Sequence, residues 1–308
     1  MIRIRRRPAP ASLPWPLPRW NTLHLRLYGA ADLGMRASSG DADDLPRTKH
    51  VGGELFVGVD VLGDRRTTVT QAQDRAWYEQ SDVRFPALTR DAAWRAPYGA
   101  EERHGGHCEI SDEEQAAAFL VNRDHTARVI ARLDKRGDTV VIALTATCVI
   151  ATGSDDEDGM RFILDRARQL VDAGADILSV HPLVWRNGQW LPFDWRGGFP
   201  RLAARIDAVV RRAGALHYAA QGPALARRGI VVAEVELVEH ADGAVTTRAV
   251  WRRGTRALLP VVDEIVVEDT RGSAAVMPMA EFLERAGSEA TRTDAAPTRY
   301  AVARSASV

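Results

Sequence analysis

The sequence predicts an α+β fold, built as two mixed lobes with largely antiparallel sheets and flanking helices. Three observations predict it. Strand-like and helix-like runs alternate irregularly along the 308 residues instead of repeating as strand–helix units. Asn187-Gly188 and Asp242-Gly243 are turn pairs set between strand-like runs, as in β-hairpins. Serine-plus-acid clusters at Ser111 and Ser154 open apolar-periodic segments as helix caps do.

In chain order, Leu23, Leu25 and Leu27 alternate with His24 and Arg26, the period-two pattern of a half-buried strand. Residues 30–51, rich in Gly, Asp and Ser, read as a loop. Residues 54–62 form a second strand stopped by Gly63-Asp64, and residues 67–70 are extended before a helix through Trp77. A short helix is expected over 86–94, and a glycine- and charge-rich loop over 98–106. Ser111 with Glu114 has capping-box spacing, and the helix it opens carries Ala117, Leu120 and Val121 toward a core.

Residues 129–133 and 139–144 look like strands around a turn at 134–137. Ser154 with Glu157 is a second capping-box match, and Phe162, Ile163, Ala167, Leu170 and Val171 then recur at helical spacing up to Gly174. A short strand follows at 176–180, the Asn187-Gly188 hairpin next, and two helices at 199–214 and 216–228. Strands at 230–238, 245–251 and 265–268 and a helix at 279–286 complete the pattern. The expected division is a Pro/Arg-rich flexible arm at 1–21, an N-terminal lobe at 22–135, a C-terminal lobe at 136–290 and a flexible tail at 291–308.

Composition narrows the function classes. With 45% hydrophobic residues the chain can bury a large core, and 41 basic against 41 acidic residues argue against nucleic-acid binding. No apolar run is long enough to span a membrane. The two cysteines, Cys108 and Cys148, lie forty positions apart without a secretory signal, so free thiols in a reducing cytoplasm are expected.

Candidate chemistry is sparse. His104, His107 and Cys108 form the only close set of soft donors, a possible zinc site with Glu109, Asp124 or His125 as completions. The acids at 155–158 lack the alternate ligand spacing of a calcium loop and fit a helix cap better. His181 would be a catalytic address in a (β/α)₈ barrel, but the two hairpins contradict that fold. Tyr218 and Gln221 are candidates for the wall of a ligand cleft between the lobes.

Several segments share an order and spacing with one bacterial family. They are residues 65–77 (RRTTVTQAQDRAW), 137–160 (GDTVVIALTATCVIATGSDDEDGM), the W-x-N-G-x-W-x-P-F hairpin ending at Phe193, 217–228, 246–267 and the P-T-R-Y ending at Tyr300. In these the chain resembles actinobacterial proteins like the domain of unknown function 1444 family. The likeness spans about Glu54 to Phe282. It implies an α+β fold and transfers no catalytic residue and no cofactor.

The leading expectation is a cytoplasmic protein that works through a protein partner without catalysis, in a regulatory, accessory or immunity-type role. The alternatives are a metal-assisted hydrolase using His104, His107 and Cys108, and small-molecule binding in the inter-lobe cleft. The oligomeric state is left open.

Overall fold

The computed structural model describes residues 17–97, 101–226, 231–269, 271–304, 306 and 308, without the side chains of Glu101, Arg103 and His104. Most of the expected N-terminal arm, residues 1–16, lies outside the described residues. The fold is α+β, with mostly antiparallel sheets, as the sequence predicts.

The alternating leucines form β1 (Leu23–Gly29), which α1 (Ala30–Ser39) follows directly. β2 (Thr48–Gly52), β3 (Leu55–Leu62) and β4 (Arg66–Thr68) complete the first sheet. β1 pairs along one side of β3, while β2 and β4 share the other side, all antiparallel. The loop expected over 30–51 is thus corrected. Its first ten residues are a helix that its Gly- and Ser-containing sequence does not advertise, with none of its side chains fully buried. A Cβ on Gly34 would collide with Ala296, so only glycine permits this approach.

α2 (Gln71–Ser81) starts at a capping box, with Thr70 Oγ1 accepting the Gln73 N–H and Gln73 Oε1 accepting the Thr70 N–H. α3 (Phe85–Arg95) packs Phe85, Leu88 and Ala92 against the leucine face of the first sheet. Next come the hairpin of β5 (Glu101–His104) and β6 (His107–Ile110), then α4 (Glu113–Val121) and α5 (Arg123–Ile130). Asp112, not Ser111, caps α4 by accepting the Gln115 N–H at 2.8 Å. The strand expected at 129–133 is corrected to the last two residues of α5 and the turn after it, and the first amides of α5 are held by the Asn122 side chain.

The central element is a six-stranded sheet. It adds β7 (Thr139–Thr145) and β8 (Cys148–Gly153) to the β5–β6 hairpin. α6 (Glu157–Asp172) follows, then the β9 (Leu183–Arg186) and β10 (Gln189–Pro192) hairpin, giving the order β10-β9-β7-β8-β6-β5. Asn187 and Gly188 both take positive φ at its turn, as a primed turn requires. β7 and β8 are buried on both faces. Val141, Ala143, Val149 and Ala151 face the first core, and Val140, Ile142, Leu144 and Ile150 face a second, made with α6.

This sheet corrects the expected lobe boundary at 135/136, because β6 pairs with β8 across it. Residues 176–180 run beside β7 through the Leu178 and Ser179 amides without forming a named strand. Asp156, not Ser154, is the cap of α6, while Ser154 Oγ accepts the Asp138 N–H at 2.9 Å. Burial opposes ionisation of Asp156, but the Gly159 N–H, the Thr152 hydroxyl and Arg136 outweigh it and lower its pKa.

After the short α7 (Trp195–Gly198), one helix, α8 (Ala203–Ala226), replaces the two expected. Gly214 does not break it, and Pro223 is accommodated near its last turn. Its Ile206, Val209 and Ala213 close the second core.

The remaining chain builds a third core between two small sheets. These use β11 (Glu236–Glu239), β12 (Val245–Arg252), β13 (Ala257–Pro260), β14 (Glu264–Glu268) and β15 (Ala274–Pro278). α9 (Met279–Ala286), β16 (Ala290–Arg292) and β17 (Arg299–Val302) follow. The sheet orders are β11-β12-β14-β15, with β12 and β14 parallel, and β13-β17-β16. The flexible tail expected over 291–308 is corrected. β17 is the middle strand of its sheet, and Val302, Ala306 and Val308 are buried in the third core.

Asp263 ties α8 to this core. Arg211 donates to it from Nε (2.8 Å) and Nη2 (2.9 Å), and Thr247 donates both its N–H and its hydroxyl at 2.7 Å. Burial raises the carboxyl pKa, but these donors outweigh it and the net shift is downward. A depressed acid pKa adds stability above the ordinary carboxyl range, and that stability is lost as pH falls through the folded value. Asp263→Asn is therefore expected to cost about 2 kcal/mol at pH 7 and to flatten the fall in stability below about pH 4. Urea unfolding midpoints at pH 7 and pH 3 check both parts.

Candidate functional site: an open strand edge in the third core

The outer face of the β11-β12-β14-β15 sheet has a regular pattern. Val250, Val266 and Val276 stand side by side across β12, β14 and β15. Val250 and Val276 are 40% and 52% exposed, while Ala249, Trp251, Ile265 and Met277 on the opposite face fill the core. This is the alternation expected of a sheet buried on one side. Charged rows flank the valines, and they are neutralised within the sheet: Arg248 donates to Glu264 at 2.9 Å and Arg252 to Glu268 at 3.0 Å.

One edge of this sheet is incomplete. β11 pairs with β12 only over Val245 to Arg248. The chain before β11 turns away to β13, where the Ala233 N–H donates to Leu258 O and the Leu258 N–H to Val231 O. Among the described residues, Ala249–Arg252 of β12 therefore has no strand partner on that side. A slot of about 690 Å³ lies along it, walled by Val235 and Glu234 on one side and Val250 and Arg252 on the other. An unpaired edge beside exposed valines accepts an added strand.

The residues singled out from the sequence lie elsewhere. The backbone register sets His104 opposite His107, and the His104 side chain lies outside the described residues. His107 and Cys108 lie on opposite faces of their strand. The His107 ring lies on Phe162 of α6 at 4.3 Å between centroids, whereas Cys108 is buried in the first core. That arrangement separates His107 from Cys108.

The suggested completions are dispersed as well. His125 is buried edge-on to Phe119, Asp124 is exposed in the first turn of α5, and Glu109 accepts from Arg166 at 3.1 Å. Glu109 also accepts the Cys148 thiol at 3.3 Å, and burial, with Glu109 adding to it, pushes that thiol up to about 12. Cys148 is thus a protonated donor at neutral pH and a poor nucleophile.

Tyr218 and Gln221 do come together, around Arg299. Arg299 is 1% exposed and donates from Nε to Gln221 Oε1 (2.7 Å), from Nη1 to Ala233 O (3.1 Å) and from Nη2 to Tyr218 O (3.2 Å). Its guanidinium lies 4.9 Å from the centre of the Tyr218 ring. The Tyr218 hydroxyl donates to Thr298 O and accepts the Val261 N–H, and Gln221 Nε2 donates to Pro297 O. These groups clamp the chain entering β17. Tyr218 also lines a cleft of about 560 Å³ beside Glu54 and Pro297, while Gln221 is fully buried and does not reach it. Sequence reasoning missed Arg299, since nothing local separates it from the other arginines.

No helix among the described residues is long and apolar enough to cross a membrane. Comparison with protein-family models, curated proteins and solved structures gives no match to this chain. The resemblance to the domain of unknown function 1444 family therefore rests on the quoted segments alone.

Proposed function

We propose that this chain is a non-enzymatic cytoplasmic protein that acts by binding an extended segment of a protein partner along Ala249–Arg252. The open edge of β12 beside the Val250–Val266–Val276 row carries this reading. The charges of that face are already paired within the sheet, so the unmet features are backbone hydrogen-bonding groups and apolar area. They favour an uncharged strand with apolar residues at alternate positions. Two buried free thiols are in keeping with a reducing compartment.

The test places a photo-cross-linking residue at Val250 of the full chain, expressed in its native host. The expected product is a covalent adduct to a partner segment of alternating apolar character. A synthetic copy of that segment should slow amide exchange at 249–252 by about tenfold or more. Val250→Asp should abolish the adduct formed from a second cross-linker at Val276, with the melting temperature unchanged. Lack of an adduct, or unchanged exchange at 249–252, would overturn the proposal.

A further inference from the structure

A second cavity, remote in sequence from the strand edge, has a chemistry of its own. It holds about 660 Å³ between β2, the β9–β10 hairpin and the start of α5. That is the size of a small-molecule site. Its position follows from the fold: Gly52 lets β2 approach β10 so closely that a Cβ there would lie 2.7 Å from Trp190 O. Trp190 is anchored beneath, its Nε1–H donating to Leu120 O at 2.9 Å. Trp185, directly opposite Trp190 in the hairpin, is half-buried in the cavity wall with ring centroids 4.8 Å apart.

The charge of the lining is one-sided. Lys49, His50 and Arg123 contribute to it, and among the described residues no Asp or Glu does, in a chain with 41 residues of each sign. Most arginines elsewhere in the fold, such as Arg66, Arg166 and Arg211, are held in ion pairs. Lys49 and Arg123 make none among the described residues. Arg123 is positioned at the hairpin turn, where a Cβ on Gly188 would sit 3.5 Å from its guanidinium carbon. His50 is occupied, its Nε2–H donating to Gly53 O at 3.0 Å, so Lys49 and Arg123 supply the free donors.

We propose that this cavity binds a small organic anion with a flat ring, whose carboxylate or phosphate meets Lys49 and Arg123 while the ring lies on Trp185. Two unpaired cations concentrate an anion, and a guanidinium takes a carboxylate or phosphate in a two-pronged hydrogen bond. An indole face supplies the apolar contact for a flat ring. The carboxylate and phosphate forms share this chemistry, and separate probes distinguish them.

The experiment is calorimetric titration of the full chain with adenosine monophosphate, indole-3-acetate, neutral adenosine and inorganic phosphate. One of the two ring-bearing anions is expected to bind with a single site. Adenosine and inorganic phosphate should each bind at least about tenfold more weakly, since each lacks one half of the recognition. Lys49→Gln combined with Arg123→Gln should weaken the ring-bearing anion by at least about tenfold, and Trp185→Ala by a similar factor. As a check independent of any variant, wild-type affinity should fall as salt rises from about 50 to 500 mM.

Lack of binding by either ring-bearing anion up to about 5 mM would overturn the proposal. Affinity indifferent to salt, or an affinity the double variant leaves unchanged, would overturn it equally.

Discussion

Replacing Trp251 with alanine is expected to destabilise the protein by about 4 kcal/mol. The indole is 1% exposed, meets Phe282 edge-on with centroids 5.5 Å apart and donates to Thr255 O at 3.1 Å. Truncation removes the largest fully buried side chain and leaves that carbonyl without its donor. The cavity would open between β12 and α9, where the parallel β12–β14 pair and the helix leave little freedom to collapse. Trp251→Phe keeps most of the volume and loses the hydrogen bond, so about 1–1.5 kcal/mol is expected. Denaturant unfolding followed by circular dichroism measures both. Because Val250 and Trp251 face opposite sides of one strand, Trp251→Ala should also reduce cross-linking at Val250, whereas Trp251→Phe should preserve it. An alanine cost below about 1 kcal/mol would contradict the packing described.

Arg299→Met is expected to cost about 3 kcal/mol or more. Exchanging a buried ion pair for apolar side chains is often neutral because both partners leave together. Here the acceptors are the backbone carbonyls of Ala233 and Tyr218 and the Gln221 amide, and the first two cannot be removed. Burial pulls the guanidinium pKa down to about 10, still high enough for a full charge at neutral pH. Arg299→Lys should recover little, since a single ammonium cannot reach acceptors on α8, residue 233 and β13 in one plane. Unfolding midpoints of the Met and Lys variants should therefore fall close together. A lysine variant of wild-type stability would show that charge alone, not the planar fork, holds β17.

The elements legible in the sequence are those specified locally. Asn187-Gly188 needs only its own φ values to make a hairpin, and Gly174 ends α6 at φ 67°. The continuous apolar runs of β7 and β8 announce strands buried on both faces. What escaped depends on partners distant in sequence. α1 contains Gly34, Ser38 and Ser39, poor helix signals, and Gly34 is set against Ala296 far along the chain. Asp112 displaced Ser111 as a cap because serine and aspartate serve that position almost equally, so sequence sets it only to within a residue. β17 looked like tail because a four-residue strand has little periodicity of its own.

The candidate sites divide along the same line. Soft donors adjacent in sequence at His107 and Cys108 enter different surroundings, because strand alternation sends neighbours to opposite faces. The open edge at Ala249–Arg252 exists only because the chain before β11 leaves for β13, which no local pattern records. Lys49 and Arg123, 74 positions apart by number, line one cavity because β2 lies close to β10.

The six-stranded sheet has a mechanical consequence. β7 and β8 have no solvated face, so their apolar side chains alternate between the two cores and one backbone carries the wall of both. A displacement of Val141 toward the first core must draw Ile142 away from the second. The two cores therefore cannot loosen in turn. They should melt as one block, and damage inflicted on α6 should be felt among the leucines of β1.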